Sequence, residues 1–381
     1  VLETEEEQVE SEECMPLDEK SRPNAASEIP PSAFPLPPSS TPLLRIIDAA
    51  ANRAREGLRA IEDYLRFVLD DRFLTQIAKQ LRHDLAEAVG KIPSADLLAS
   101  RETQADVGTQ LTSNQEASRA DFAAVLAANF GRLQESLRSL EEYGKLVDPA
   151  AAGRFKQIRY RVYTLQRAVE IGRQSFDRLA AARLYVLIDG RDSLGAFERL
   201  AAGLVSAGVH VLQLRDKKLD DRRLLERARK LRELTRGTPT LFMMNDRPDL
   251  AALSRADGVH LGQEELSVKD ARTILGPRPL IGVSTHDIKQ ARRAVLDGAN
   301  YLGVGPTFPS TTKDFAVFPG LQFLRQVAAE IRLPAFAIGG ITAGNLPQVL
   351  ATGIGRVAIS GAIANAEEPI EATKKFFESL K

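Results

Sequence analysis

The chain has 381 residues, enough for two domains or for one large barrel with an appendage. Its 51 basic residues balance 51 acidic ones, so no global field argues for nucleic acid or a membrane surface. Trp is absent, no apolar run approaches membrane-spanning length, and the single cysteine, Cys14, lies in a polar stretch. These features exclude a disulfide framework and a cysteine-based metal site, and leave a soluble cytoplasmic protein as the expectation.

Residues 1–41 are rich in Glu (Glu3, Glu5, Glu6, Glu7, Glu10), then in Pro and Ser. They offer almost nothing to bury, so a disordered tail is expected, and its acidity is the reverse of a signal or transit peptide. Residues 42–182 read as an all-α domain, with apolar residues recurring at three and four (Leu58, Ile61, Leu65, Val68, Leu69). One irregular segment, 100–114, interrupts the helices.

The helical part contains an internal repeat. Glu56–Tyr64 (EGLRAIEDY) and Glu135–Tyr143 (ESLRSLEEY) differ only at Gly57/Ser136 and Ala60/Ser139, once Ile/Leu and Asp/Glu are counted as matches. Helical spacing puts Glu56, Arg59 and Asp63 on one face with Glu62 alongside, and Glu135, Arg138 and Glu142 on the equivalent face. Two copies sharing polar as well as apolar positions predict a pseudo-twofold bundle with polar stripes turned inward. The competing reading is an exposed face laced with ion pairs. The 100–109 loop (Arg101, Glu102, Thr103, Asp106, Gly108, Thr109) adds groups suited to an anion or a metal.

From 183 to 381 the pattern changes to strand–helix alternation. Strands are predicted at 184–189, 209–216, 240–246, 258–263, 280–284, 301–305, 335–341 and 356–360, with helices between them. Eight such units over about 200 residues define an α/β class, a (β/α)8 TIM barrel preceded by the helical bundle. In that fold chemistry gathers at the carboxyl ends of the strands, and the polar residues fall there. Gln213, Arg215 and Lys217 alternate along the second strand toward one face, which would be costly inside a barrel unless they meet a ligand or each other. Asn245-Asp246, Gly262–Glu265, Ser284, Gly339-Gly340 and Ser360-Gly361 end later strands. After the sixth strand, Gly303–Lys313 (GVGPTFPSTTK) brings three hydroxyls and an ammonium together, a composition suited to a polyphosphate, though not a P-loop. The glycine pair after the seventh strand and Ser360-Gly361 after the eighth match the usual phosphate cradle of such barrels. His210 and His260 read as packed core histidines, and His286, in a loop after a barrel strand, as a candidate substrate contact. No His/Cys pair has zinc spacing.

QLRDK (213–217), MND (244–246), DGVHLGQEE (257–265), IGVSTHD (281–287), YLGVGPTFPSTTK (301–313), AIGGIT (337–342) and VAISGAI (357–363) together resemble the thiamine-phosphate synthase family, over about 183–381. The resemblance implies an enzyme joining hydroxymethylpyrimidine diphosphate to thiazole phosphate with release of pyrophosphate. It assigns Gln213, Arg215, Lys217 and Asn245 to the pyrimidine diphosphate, and Asp246 and Glu265 to Mg²⁺. Ser284 and Lys313 would hold the pyrophosphate. Ser310, Thr312 and the amides near Gly340, Ser360 and Gly361 would hold the thiazole phosphate. Arg215, Lys217 and Lys313 are the cations that would stabilise the leaving group. Two positions depart from the family pattern: Glu265 stands where Asp is usual, and Gly361 where Ser is usual.

RIIDAAANRAREGLRAIEDYLRF (45–67), LRHDL (81–85), SRETQADVGT (100–109) and NFGRLQESLRSLEEYGK (129–145) resemble the single-function hydroxymethylpyrimidine-phosphate kinase domain found alone or fused to this synthase. This implies ATP with Mg²⁺ and an ATP site without a P-loop. Its candidates are Arg55, Glu56, Arg59, Asp63, Arg101, Asp106, Arg132, Glu135 and Arg138. The partners implied are small molecules, not nucleic acid or membrane, with homo-oligomerisation left open. The alternative reading is a thiazole tautomerase barrel carrying a non-catalytic docking or dimerisation domain.

Overall fold

A computed structural model describes residues 41–104, 106–107, 118–309 and 319–380. Most of the acidic tail, together with Gly108, Thr109, Ser310, Thr312 and Lys313, lies outside the described residues.

Helices α1 (Thr41–Asp63), α2 (Arg72–Val89), α3 (Ser94–Ser100), α4 (Phe122–Gly144) and α5 (Pro149–Leu179) form the first part. Leu44, Ile47, Ala51, Ala54, Leu58 and Ile61 are the buried stripe of α1, spaced at three and four, and a π-helical turn (Tyr64–Val68) ends it. Asp71, Asp121 and Asp148 cap α2, α4 and α5 by accepting from Leu74 N, Ala124 N and Ala150 N. The repeat becomes a pseudo-twofold pairing, with α1 packed along α4, α2 on α1, and α5 on α4. Small residues sit at the α1–α4 crossing: a Cβ at Gly57 would come within 3.1 Å of the Asn129 carbonyl oxygen, and the equivalent Ser136 is buried.

The stripes do not turn inward as a whole. Arg55, Glu56, Arg59, Arg132, Glu135 and Arg138 are exposed, and the buried members are Glu62 and Glu141. Each of these carboxylates takes one arginine from its own helix and one from the next. Glu62 pairs with Arg59 (3.8 Å) and Arg82 (3.0 Å), and Glu141 with Arg138 (2.8 Å) and Arg159 (2.8 Å). The physical reason is desolvation: a buried carboxylate is tolerated when guanidinium groups satisfy it, while the remaining charges stay in water.

Eight parallel strands close into a barrel in sequence order: β1 (Leu184–Ile188), β2 (Val211–Leu214), β3 (Leu241–Asn245), β4 (Gly258–Leu261), β5 (Leu280–Thr285), β6 (Tyr301–Val304), β7 (Ala335–Ile338) and β8 (Val357–Ile359). The connecting helices are α6 (Leu194–Ser206), α7 (Asp221–Thr235), α8 (Pro248–Ser254), α9 (Val268–Leu275), α10 (Ile288–Asp297), α11 (Gly320–Glu330) and α12 (Leu346–Leu350), with α13 (Gly361–Ala364) and α14 (Pro369–Ser379) after β8. The barrel interior is packed by Tyr185, Leu187, Val211, Met243, Leu280, Tyr301, Phe336 and Ala358. Leu179 and Ala182, just before β1, belong to the same cluster and close its floor.

The helical part stands against the end of the barrel where the strands begin. Arg332, just before β7, donates its amide to Asp71 (2.8 Å) and its guanidinium to Asp70 (2.6 Å). Asn300, just before β6, accepts from Ile281 N and Arg272 and donates to Ser175 of α5 (3.0 Å). Arg178 of α5 reaches the carbonyl of Arg278, just before β5. The carboxyl ends of the strands are therefore on the opposite side.

Candidate active site

Gln213, on the inward face of β2, is 1 % exposed. Its Nε2 donates to the Tyr185 hydroxyl (3.1 Å), while its Oε1, equally buried, has no hydrogen-bond partner. A buried amide oxygen without a donor is costly unless a ligand supplies one. β2 ends at Leu214, so Arg215 and Lys217 lie in the loop beyond it, and strand alternation alone does not orient them. Asp216, which sequence reasoning passed over, does that work. Its carboxylate accepts from the amides of Gly190 (2.9 Å), Lys218 (2.7 Å) and Leu219 (2.9 Å). Burial opposes its ionisation, but these amides outweigh it and hold the carboxyl below its ordinary range. The available signal was an Asp at a turn start followed by two lysines.

Lys217 Nζ then lies 3.4 Å from Asp246 Oδ2, so β2 and β3 bring a cation and a carboxylate together at the mouth. Asp246 follows Asn245 in the left-handed region (φ 58°), with its amide donating to the His260 carbonyl (2.8 Å). That conformation is uncommon outside Gly, Asn and Asp. Glu265 follows the adjacent strand, β4. It is exposed and borders a cavity of about 430 Å³ with Gln263, Lys289, Arg293 and Asp297.

Ser284, near the end of β5, is bonded to His260 Nε2 (2.9 Å). His260 is buried as expected, but it is not a passive core residue, because its Nδ1 faces the Tyr301 hydroxyl (3.2 Å), which in turn meets the Tyr185 hydroxyl (2.9 Å). Burial pulls the His260 imidazole down to about 4, with Asp246 opposing and Arg215 assisting, so the ring is neutral. Room for these side chains comes from glycines on other strands: a Cβ at Gly282 on β5 would fall 2.1 Å from the Tyr301 ring of β6, and one at Gly303 on β6 3.0 Å from His260 of β4.

The loop after β6 is stapled to the loop after β7. Thr307 N donates to Ile338 O (2.9 Å) and Phe308 N to Gly339 O (3.0 Å). Gly339 and Gly340 have φ of 101° and 63°, and a Cβ on Gly340 would sit 2.5 Å from the Pro309 carbonyl oxygen. His286 donates from Nδ1 to Gly305 O (2.6 Å), buttressing this loop. Ser360 and Gly361 open α13, and a Cβ at Gly361 would meet only Asn365 Nδ2, at 3.6 Å. Glycine is therefore not sterically demanded there.

In the helical part, Arg101 makes a two-pronged bond to the buried Asp48 (2.8 and 2.7 Å), fixing the start of the 101–107 segment on α1. Asp48 has Ala127 at the equivalent position of the repeat, so the two halves differ here. Asp63 is half-buried on α1 and Asp106 exposed.

A closed parallel barrel with cations, carboxylates and loop glycines at its carboxyl end defines a TIM-barrel enzyme that handles phosphorylated small molecules. Residues 184–363 match the family model described as thiamine monophosphate synthase, and residues 45–168 that of the ThiD2 family. The chain is 47% identical over 331 residues to the thiamine-phosphate synthase of Rhodopirellula baltica, covering 84% of this chain and 88% of that one. To the thiamine-phosphate synthase of a Synechocystis strain it is 43% identical over 338 residues, covering 89% and 96%. A solved thiamine phosphate pyrophosphorylase from Pyrococcus furiosus is 34% identical, with a TM-score of 0.48, over 52% of this chain and 95% of that one. The chain belongs to the thiamine-phosphate synthase family, with a ThiD2 domain ahead of the barrel.

Proposed function

We propose that the barrel joins hydroxymethylpyrimidine diphosphate to thiazole phosphate, forming thiamine phosphate and pyrophosphate, and that the helical domain supplies the diphosphate by ATP-dependent phosphorylation of the pyrimidine monophosphate. The observation that carries the synthase reading is the pairing of an unpartnered, buried Gln213 Oε1 with the Lys217–Asp246 couple at the same mouth. One is suited to a heterocycle and the other to a diphosphate. A tautomerase would need no such diphosphate clamp. Cytoplasmic small-molecule chemistry fits this reading.

In the reaction the bond between the exocyclic CH₂ and the diphosphate oxygen breaks, and its electron pair leaves with pyrophosphate. The electron-rich pyrimidine ring carries the positive charge until the thiazole nitrogen forms the new C–N bond. No strong protein base is required. Arg215 and Lys217 stabilise the charge on the departing oxygens, and Lys313, in the segment outside the described residues, is the third cation proposed for this role. Ser284 holds the pyrophosphate, Asn245 lies beside the diphosphate, and Ser310, Thr312 and the backbone around Gly340, Ser360 and Gly361 hold the thiazole phosphate. Asp246 and Glu265, borne by neighbouring strands, would hold Mg²⁺. Among the described residues no group of three or more His, Cys, Asp or Glu is arranged for a metal. Two carboxylates completed by diphosphate oxygens and water suit this hard cation. When bound, it neutralises charge on the leaving group. For the kinase half, Arg55, Glu56, Arg59, Asp63, Arg101, Asp106, Arg132, Glu135 and Arg138 remain the candidate residues, with ATP and Mg²⁺.

The test supplies the full chain with pyrimidine monophosphate, ATP, Mg²⁺ and thiazole phosphate. Wild type is expected to yield thiamine phosphate. Lys217→Ala and Asp246→Ala are expected to lose about 100-fold or more of the coupling rate while still accumulating the pyrimidine diphosphate. Wild-type coupling in both variants refutes the barrel assignment, and no diphosphate in any of them refutes the kinase assignment.

A further inference from the structure

The hydrogen bonds inside the barrel form one unbroken chain from Gln213 through Tyr185, Tyr301 and His260 to Ser284, with links of 3.1, 2.9, 3.2 and 2.9 Å. Gln213, Tyr185 and Tyr301 are at most 2 % exposed and His260 is 7 % exposed, so water does not compete along it. Each hydroxyl has one proton, and a neutral imidazole has one donor and one acceptor nitrogen. The chain therefore has two self-consistent directions, and choosing the direction at one end fixes it at the other.

At the Ser284 end an anion makes the choice. A hydroxyl beside diphosphate oxygens must donate to them, so it can only accept from His260, whose proton is then on Nε2. Nδ1 must accept from Tyr301, Tyr301 must accept from Tyr185, and Tyr185 must accept from Gln213. The carboxamide is left with its NH₂ group on Tyr185 and its Oε1 as the free acceptor, which is the arrangement found: Nε2 donates to the Tyr185 hydroxyl and the buried Oε1 has no partner. Reversing the direction would leave an NH₂ donor facing the ligand and a Ser284 oxygen pointing its lone pairs at an anion.

We propose that Tyr185, Tyr301 and His260 are positioning residues that carry the polarity imposed by the diphosphate on Ser284 across the barrel to Gln213, so that the pocket selects a ring bearing an amino donor over one bearing a carbonyl. This rests on the synthase reading and deepens it, because the aminopyrimidine is recognised at one end of the chain and its leaving group at the other. A site built to accept a hydrogen bond rejects the analogue that also offers an acceptor, since two acceptors are then left facing each other.

Two readouts test the relay. In isotope-labelled full-length enzyme saturated with Mg²⁺ and inorganic pyrophosphate, ring-nitrogen NMR is expected to show His260 neutral and protonated on Nε2, assigned by loss of its signals in His260→Gln from among four histidines. A proton on Nδ1 overturns the proposal whether or not the enzyme couples the two substrates. The second readout is the ratio of kcat/KM for the 4-amino pyrimidine diphosphate to that for its 4-oxo analogue, in wild type and Tyr301→Phe. The phenylalanine keeps the ring and removes one link. The ratio is expected to fall about tenfold or more, through KM for the pyrimidine, with KM for thiazole phosphate unchanged. An unchanged ratio in a folded variant overturns the proposal. Should Tyr301→Phe fail to fold, Tyr185→Phe breaks the adjacent link and is held to the same outcome.

Discussion

His210 sits just before β2, where its Nδ1 accepts the amide of Leu184 at the start of β1 (3.2 Å) and its ring packs edge-on against Phe377. Accepting requires a neutral ring. Burial, with Arg183 nearby, lowers its pKa from the ordinary 6.5, and the Leu184 amide on Nδ1 is compatible only with the neutral ring. The folded chain therefore binds this proton less readily than the unfolded one. Its contribution is present above pH 6.5 and is lost as the pH falls through the folded value. Urea unfolding at a series of pH values is expected to show stability declining on this acid limb, with a shallower decline in His210→Gln. An identical slope would mean that the histidine does not titrate with unfolding. The sequence reads His210 as a packed core residue, whereas it is only half-buried, and the backbone amide it accepts comes from 26 residues away and could not be read from spacing.

Among the elements, the barrel strands divide their inner face between glycine and aromatic residues in register. Gly282 is paired with Tyr301 and leaves room for its ring, while Gly303, paired with Phe336, leaves room for His260 from β4, two strands away. Strand alternation and the polar strand ends were legible in the sequence because both depend on local spacing. The complementarity was not, since it depends on which strands become neighbours. The same limit explains the second strand, predicted through Asp216 but ending at Leu214, because alternation continues past the last ladder bond. It also explains the helical repeat, whose existence was readable while the choice of Glu62 and Glu141 as its buried members was not. Gly282→Ala is expected to destabilise the chain by about 1–3 kcal/mol through overpacking against Tyr301. Gly153→Ala, in α5 with nothing near the added methyl, is expected to stabilise it by about 0.5–1 kcal/mol. Denaturant midpoints of the two variants, moving in opposite directions, check the assignment.

At the scale of the whole molecule, the helical part and the barrel share a core boundary. Residues 41–381 form one compact unit, and the expected division at 182/183 falls within packed structure, since Leu179 and Ala182 complete the barrel floor. The proposed synthase site lies at the far end of the strands from this junction, so the helical part bears on it through the stability of the barrel rather than by contact. Asp71 concentrates that coupling. It is 2 % exposed and accepts both Leu74 N (2.7 Å), capping α2, and Arg332 N (2.8 Å), just before β7. Burial raises the pKa of its carboxyl, with those amides pulling the other way. Asp71→Ala removes a cap and strands a buried amide, at a combined cost of about 2–4 kcal/mol. Because the two amides belong to different halves, the loss is expected in both at once. Thermal unfolding followed by helical circular dichroism and by fluorescence from a probe placed in the barrel should remain a single coincident transition, shifted to lower temperature. Two separated transitions, with only the helical one displaced, would show that the halves unfold independently and that Asp71 acts as a helix cap alone.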